Sequence, residues 1–280
     1  MLTDTYQFDL KKTNEWLCGY INTNLKKVKP NDPDEVLYIL GAMMMDIRSN
    51  FNTIEQLIKI LDEEFSKRTD EVHPLLFAYT LHLYKRLGDS KSTFFHEGYL
   101  NMIRSLKEEY QKGSPSMIVY TLLAYFNLIS TDELLVQLNN YLQIKDELLT
   151  SNEQYLEEHL EVLYTIAFLQ LKDVQPYVVK RFQSSDYAYS GLMLAACRNY
   201  QIDDVAKYII IMEYLQFDHD FFIEEGKNFL KFQQRIDGSF GYLNPLFIDK
   251  GANRLDQEYF LPMTHYAIVA LSCTFKNASN

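Results

Sequence analysis

Residues 226–241 read GKNFLKFQQRIDGSFG. Apolar residues at helical spacing run as far as Phe232, and the helix signal then gives way to Asp237-Gly238, a turn pair in which glycine takes a positive φ at little cost. Phe229 and Leu230 are expected to bury against a neighbouring helix, Gln234 to bond open backbone groups at an adjoining helix end, and Phe240 to cap the turn with an aromatic ring. Such a segment staples one helix to another, so its surroundings are expected to be helical.

Working outward, apolar residues recur at helical spacing almost everywhere and strand-like alternation is nearly absent, so the chain reads as all-α. Helix starts are legible. Asp32-Pro33-Asp34-Glu35 has a capping aspartate, a proline at the first helical position and a glutamate reaching back, while Asn52 with Glu55, Ser130 with Glu133 and Thr150 with Glu153 repeat the capping-box pattern. Ser114-Pro115 is expected to open another helix. Six helices read as apolar on nearly all sides with small residues near the middle: Val36–Ile47, Pro74–Leu87, Ser116–Ile129, Tyr155–Leu171, Tyr187–Tyr200 and Met263–Phe275. A helix apolar all round is a buried one. Between them lie helices with one apolar stripe, such as Ile54, Leu57, Ile58, Leu61 and Phe65, and the long stretch Asp203 to Gln234 is expected to lie outside as well. The alternation suits a closed ring of six helical hairpins or an open solenoid of repeats of roughly 34 to 47 residues. Uniformly apolar inner helices favour closure, because a solenoid leaves its inner helices half exposed on a concave face. No linker rich in Pro, Gly or Ser divides the chain, and residues 1–280 are expected to form one α/α-toroid domain.

The 226–241 segment resembles the glutamine-tryptophan repeat of the terpenoid (squalene) cyclase and protein prenyltransferase superfamily. Gly226, Phe229-Leu230, Gln234, Gly238 and Phe240 stand at its positions, with Glu225 where that family prefers a base and Phe240 where it prefers tryptophan. The resemblance implies the α/α-toroid fold. The catalytic motifs are missing: there is no D-x-D-D, and Asp203-Asp204 lacks the third carboxylate of D-D-x-x-D. Asp186-Tyr187-Ala188-Tyr189-Ser190 is similar to the prenyltransferase zinc element D-x-C-Y-S with its cysteine replaced by Ala188, and His265 falls about where that family's histidine ligand would. Two ligands are too few for a closed zinc site. No metal or other cofactor is therefore expected, and Asp186 and His265 stand as the weak catalytic candidates.

A net charge of −11 argues against nucleic acid or an anionic membrane surface as partner, since both demand clustered Lys and Arg. No run of about 18 apolar residues occurs and the first residues, MLTDTYQFDLKK, lack a signal peptide's order, so no membrane insertion and a cytoplasmic location are expected. Cys18, Cys197 and Cys273 are too few and too far apart for a disulfide framework or a cysteine zinc knuckle and read as reduced thiols packed as small hydrophobes. Asp218-His219-Asp220 reads as a polar helix start, because i and i+2 diverge on a helix. His82, Tyr189 and His265 lie on inner helices and are the residues expected to face a central cavity.

These readings lead to a toroid that binds a hydrophobic small molecule or a peptide in its cavity, as an accessory in making or modifying a natural product, with a protein partner as a further expectation. A divergent cyclase or prenyltransferase-like enzyme and a helical-repeat interaction scaffold are the alternatives. Convergent polar residues in the cavity would point to an enzyme and apolar walls to ligand binding.

Overall fold

The computed structural model describes residues 8–25, 33–65, 74–87, 96–113, 115–146, 153–182, 185–217, 220–241 and 254–272. Among them the fold is all-α, with helices α1 Leu10–Tyr20, α2 Pro33–Met43, α3 Ile47–Phe65, α4 Pro74–Leu87, α5 His96–Gln111, α6 Met117–Tyr125, α7 Thr131–Asp146, α8 Glu153–Phe168, α9 Gln175–Phe182, α10 Asp186–Arg198, α11 Ile202–Tyr214, α12 Asp220–Phe232 and α13 Arg254–Ser272. The one sheet-like pairing among these residues is a single bridge between Gln234 and Phe240.

Local chemistry sets several boundaries. Ser130 caps α7 by accepting from Glu133 N at 3.1 Å. The helix expected after Ser114-Pro115 begins instead at Met117, with Ser116 accepting from Val119 N. Asn52 lies inside α3 and does not open it. Asp46 accepts from Ser49 N and so caps the helix several residues earlier, after a tight 3-10 turn at Met44–Asp46. Asp32 and Thr150, expected caps, lie outside the described residues.

Four helices stop in the same way. After α6, α8, α10 and α11 the chain turns left-handed at Asn127, Gln170, Tyr200 and Gln216. Each stop carries a pair of closing bonds, as in Leu128 N to Leu123 O and Asn127 N to Ala124 O. This geometry satisfies the last carbonyls of a helix and reverses the chain abruptly.

Packing assigns the helices to their places. α2 packs on α4, α4 on α6, α6 on α8, α8 on α11, α11 on α13, and α13 on α2. Amphipathic α3, α5 and α7 cover these from α2, α4 and α6, while α10 and α12 cover α11. The expectation of buried α2, α4, α8 and α13 agrees with their burial, and Ala42, Ala78, Ala167 and Ala270 lie in the core, whereas α6 is buried on one side only and its Ala124 is partly exposed. For the fifth hairpin the expected roles are exchanged. α10 (from Tyr187–Tyr200) is half exposed, with Tyr187 69% exposed and Ala188, Gly191 and Ala195 on the solvent side, although Ala196 on its other face is buried. α11, expected outside, is buried from Val205 to Tyr214. Its two interior charges are neutralised from other helices: Lys207 Nζ meets Glu161 Oε1 at 2.8 Å and Glu213 Oε1 meets Lys227 Nζ at 2.7 Å. None of the described helices is long and apolar enough to cross a membrane.

Candidate functional site

The segment 226–241 closes the fold onto its own beginning. Gly238 N donates to Arg235 O and Arg235 N to Ser239 O, a turn followed by a left-handed residue. Asp237 Oδ1 accepts from Ser239 N at 3.0 Å and Oγ at 2.7 Å, holding that turn. Gln234 then caps α1: its Oε1 accepts from Asp9 N at 3.0 Å, and its Nε2 donates to Asp9 O at 2.8 Å and Thr13 Oγ1 at 3.0 Å. Thr13 Oγ1 in turn donates to Gly238 O at 2.8 Å. Phe240 is buried, stacks near Phe8 and donates its N–H to Thr264 Oγ1 of α13 at 2.9 Å. Gly226 and Leu230 are buried on the inner face of α12, with Gly226 against Met193 and Ile209. Phe229, expected to be buried, is only partly so. One position from Leu230, it turns toward the rim and meets exposed Tyr200 at 6.1 Å. Gln234→Ala, which strips three bonds from the start of α1, is therefore expected to cost about 1 to 3 kcal/mol. Phe229→Ala should cost less than the roughly 3 to 5 kcal/mol of a fully buried phenylalanine. Thermal melts of the two variants measure both.

A second constellation lies on the buried helices. Rings stand in succession from His82 (α4) through Phe168 (α8), Tyr79 (α4), Tyr164 (α8) and Tyr266 (α13) to Tyr38 (α2), with centroids 4.5 to 6.2 Å apart. Tyr125 of α6 joins at His82, whose Nδ1 lies 3.2 Å from the Tyr125 hydroxyl. Tyr79 is hydrogen-bonded to Thr165 at 2.8 Å. At the α8–α11 side the belt becomes charged. Lys207 Nζ sits 5.2 Å above the Tyr266 ring, 2.8 Å from Glu161 and 4.0 Å from Asp204. Burial, then the Glu161 charge, hold the Tyr79 phenol well above its usual range, so it acts here as a neutral hydrogen-bonding group. Burial opposes the charge on Lys207, but Glu161, Asp203 and Asp204 outweigh it and raise its pKa.

Asp204 is the carboxyl of this site whose protonated form is favoured by its surroundings. Burial and then neighbouring Asp203 push its pKa up to about 6, against a partial opposing pull from Lys207. A carboxyl whose folded pKa exceeds its unfolded one binds more protons when folded, so its ionisation weakens the fold as pH rises from about 4 to 6. Asp204→Asn is expected to flatten this part of the stability profile. Melting temperatures of both proteins at pH 4, 5, 6 and 7 measure the difference.

The cavity candidates divide. His82 and His265 belong to the aromatic belt, whereas Tyr189 on α10 bonds His159 Nε2 at 2.8 Å and packs with Phe182, Tyr208 and Phe217. His265 is buried between α13 and α2, where Gly41 leaves room for its ring. Its Nδ1 stands 3.1 Å from the Tyr38 carbonyl, which can only accept, so Nδ1 carries the hydrogen and Nε2 keeps a lone pair. Burial drives its pKa down to about 4, only partly offset by that bond, so near neutral pH the ring carries no charge. Asp186 begins α10, next to N-cap Ser185, and its side chain lies outside the described residues. α10 packs on α11 and α12, α13 on α11 and α2.

Among the described residues no group of three or more His, Cys, Asp or Glu could hold a metal ion. Elemental analysis of protein purified without chelator is expected to find much less than one zinc per chain, and stoichiometric zinc lost in His265→Ala would contradict this. Burial pushes the Cys197 thiol up to about 11 and raises that of Cys18, which makes both poor nucleophiles.

Tyr38, Tyr79, Glu161, Tyr164, Lys207 and Tyr266 belong to no motif that marks them as site residues in the sequence. The signal within reach was charge inside apolar helices: Glu161 in LEVLYTIAF and Lys207 in VAKYIII need partners once buried. Compared with protein families, with curated proteins and with solved structures, the chain matches none.

Proposed function

We propose that this chain is an α/α toroid that binds a ligand with an apolar body on the aromatic belt of its inner helices. The succession of contacts that leads from α2 through α4, α6, α8, α11 and α13 back to α2 supports closure, since an open helical scaffold lacks the last contact. The observation that carries the binding reading is the convergence of half-buried Tyr38, His82, Tyr125, Glu161 and Asp204, drawn from five helices, on one wall of buried rings. Ring faces supply apolar area, and the hydroxyls and charges fix orientation, the usual division of labour in a ligand site. The ligand class is a hydrophobic small molecule or peptide segment with a polar group directed at Glu161 and Lys207.

The neutral apolar dye Nile red tests this. It should bind the wild-type protein with blue-shifted emission and bind at least several-fold more weakly to Tyr38→Ala, His82→Ala and Tyr125→Ala variants that keep their helical circular dichroism. No binding, or equal binding by all four proteins, would sink the reading.

Asp204 favours a second reading, a cyclase- or transferase-like enzyme on the same scaffold. A carboxyl that holds its proton to about pH 6 beside Lys207 is suited to general acid chemistry. In that reading the acid is Asp204, not His265 or Asp186, and turnover would fall in Asp204→Asn while surviving in His265→Ala.

A further inference from the structure

Gly19 lies in the last turn of α1, and among the described residues no heavy atom comes within 4 Å of where a Cβ would stand. Glycine inside a helix is less favourable than alanine, and among the described residues no packing contact requires it at this position. The room it leaves belongs to an open groove of about 360 Å³ lined by Glu15, Trp16, Gly19, Tyr20, Thr23 and Asp237. Trp16, Gly19, Tyr20 and Thr23 follow one another at helical spacing and share one face. The backbone widens to π-helical geometry at Ile21–Leu25, a change that recurs at functional positions. Thr23 Oγ1 folds back onto the Gly19 carbonyl at 2.9 Å. The Trp16 and Tyr20 rings stand 5.6 Å apart at 45°. Two carboxylates flank them: Glu15, with Lys11 at 3.9 Å, and Asp237, with Arg235 at 3.7 Å, and neither of these cations lines the groove. Next to Asp237, at the tip of the hairpin, Ile236 is 97% exposed.

We propose that this groove receives an arginine or lysine side chain from an extended segment of a partner protein. The half-buried Trp16 indole beside two carboxylates suits a cation, which gains from a ring face and charge-assisted hydrogen bonds together, while Tyr20, buried with its hydroxyl donating to Glu35, backs the indole. The net charge of −11 steers a basic segment toward the chain. Exposed Ile236 selects a polypeptide over a small free cation, because a residue adjoining the basic one can cover it, and a lone ammonium or guanidinium cannot. The site is separate from the aromatic belt and does not depend on what binds there.

The chain has a single tryptophan, so its emission reports on Trp16 alone. Titration with the acetylated, amidated pentapeptide Gly-Ile-Arg-Ile-Gly is expected to change that emission saturably, and the same peptide with uncharged citrulline for arginine should leave it unchanged. Combining Glu15→Gln with Asp237→Asn, which keeps an acceptor for the Ser239 turn, should weaken binding about tenfold. Gly19→Ala should weaken binding while raising the melting temperature, a pair of effects that a purely structural glycine would not give. Equal binding of the citrulline peptide, equal binding of argininamide and the pentapeptide, or no change in emission at millimolar peptide would each overturn the proposal.

Discussion

Gly238→Ala is expected to destabilise the protein by about 3 kcal/mol or more. Two costs combine there. Its φ of +96° disfavours any side chain, by roughly 1 to 2 kcal/mol. A Cβ would also stand 2.2 Å from Lys12 O and 2.4 Å from Lys12 C, and both atoms belong to the α1 backbone, which cannot yield as a flexible side chain can. Overpacking of this kind adds roughly 1 to 3 kcal/mol. Gly113 is the internal control, since its φ is +92° with no described atom within 4 Å of its Cβ position. Gly113→Ala should show the conformational cost alone. For a chain of this size, 3 kcal/mol corresponds to a fall of roughly 6 to 12 °C in the melting temperature. Equal falls for the two variants would mean that the hairpin is not seated on α1.

Lys227→Met is expected to cost about 3 kcal/mol, the lower end of what breaking a buried ion pair costs. Glu213 is 2% exposed on α11, and the variant removes the ammonium 2.7 Å from its carboxylate. Lys227 itself is about a fifth exposed, which lets water offset part of the loss and sets the estimate at the low end. Adding Glu213→Met to Lys227→Met should restore most of the stability, because two apolar side chains then meet where two charges did. Denaturant unfolding of the single and double variants checks this. A double variant less stable than Lys227→Met would show that Glu213 serves other contacts more than this one.

What the sequence made legible was chemistry contained within a few residues. The turn at Asp237-Gly238, the Ser130 cap and the apolar stripe of α3 depend on neighbours in the chain, and each could be read there. Gln234 was legible as a group in search of open backbone, but the backbone it finds begins at Asp9, 225 residues away. The exchange of α10 and α11 has the same origin. Lys207 and Glu213 make α11 look like a surface helix until Glu161 and Lys227 are seen across from them on other helices. Conversely, the small pair Ala195-Ala196 of α10 reads as part of a helix buried all round, yet only Ala196 is buried and Ala195 faces solvent, where alanine serves helix propensity alone. The abundance of tyrosine was visible, but the convergence of Tyr38, Tyr79, Tyr164 and Tyr266 is a property of how four helices dock and has no period along the chain.

The contact of Gln234 and Gly238 with α1 also bears on how the protein is made. At roughly 5 to 20 residues per second, some 225 residues of synthesis separate the emergence of α1 from that of its hairpin, a wait of about 10 to 45 seconds. Leu17 and Tyr20, buried in the finished fold, have no hairpin to seat their helix during that interval. A contact of such sequence separation forms late, after its loop-closure entropy has been met by other packing. α1 therefore shares with α2, whose Tyr38 carbonyl waits 227 residues for His265, a long interval in which nascent-chain chaperones can act on it.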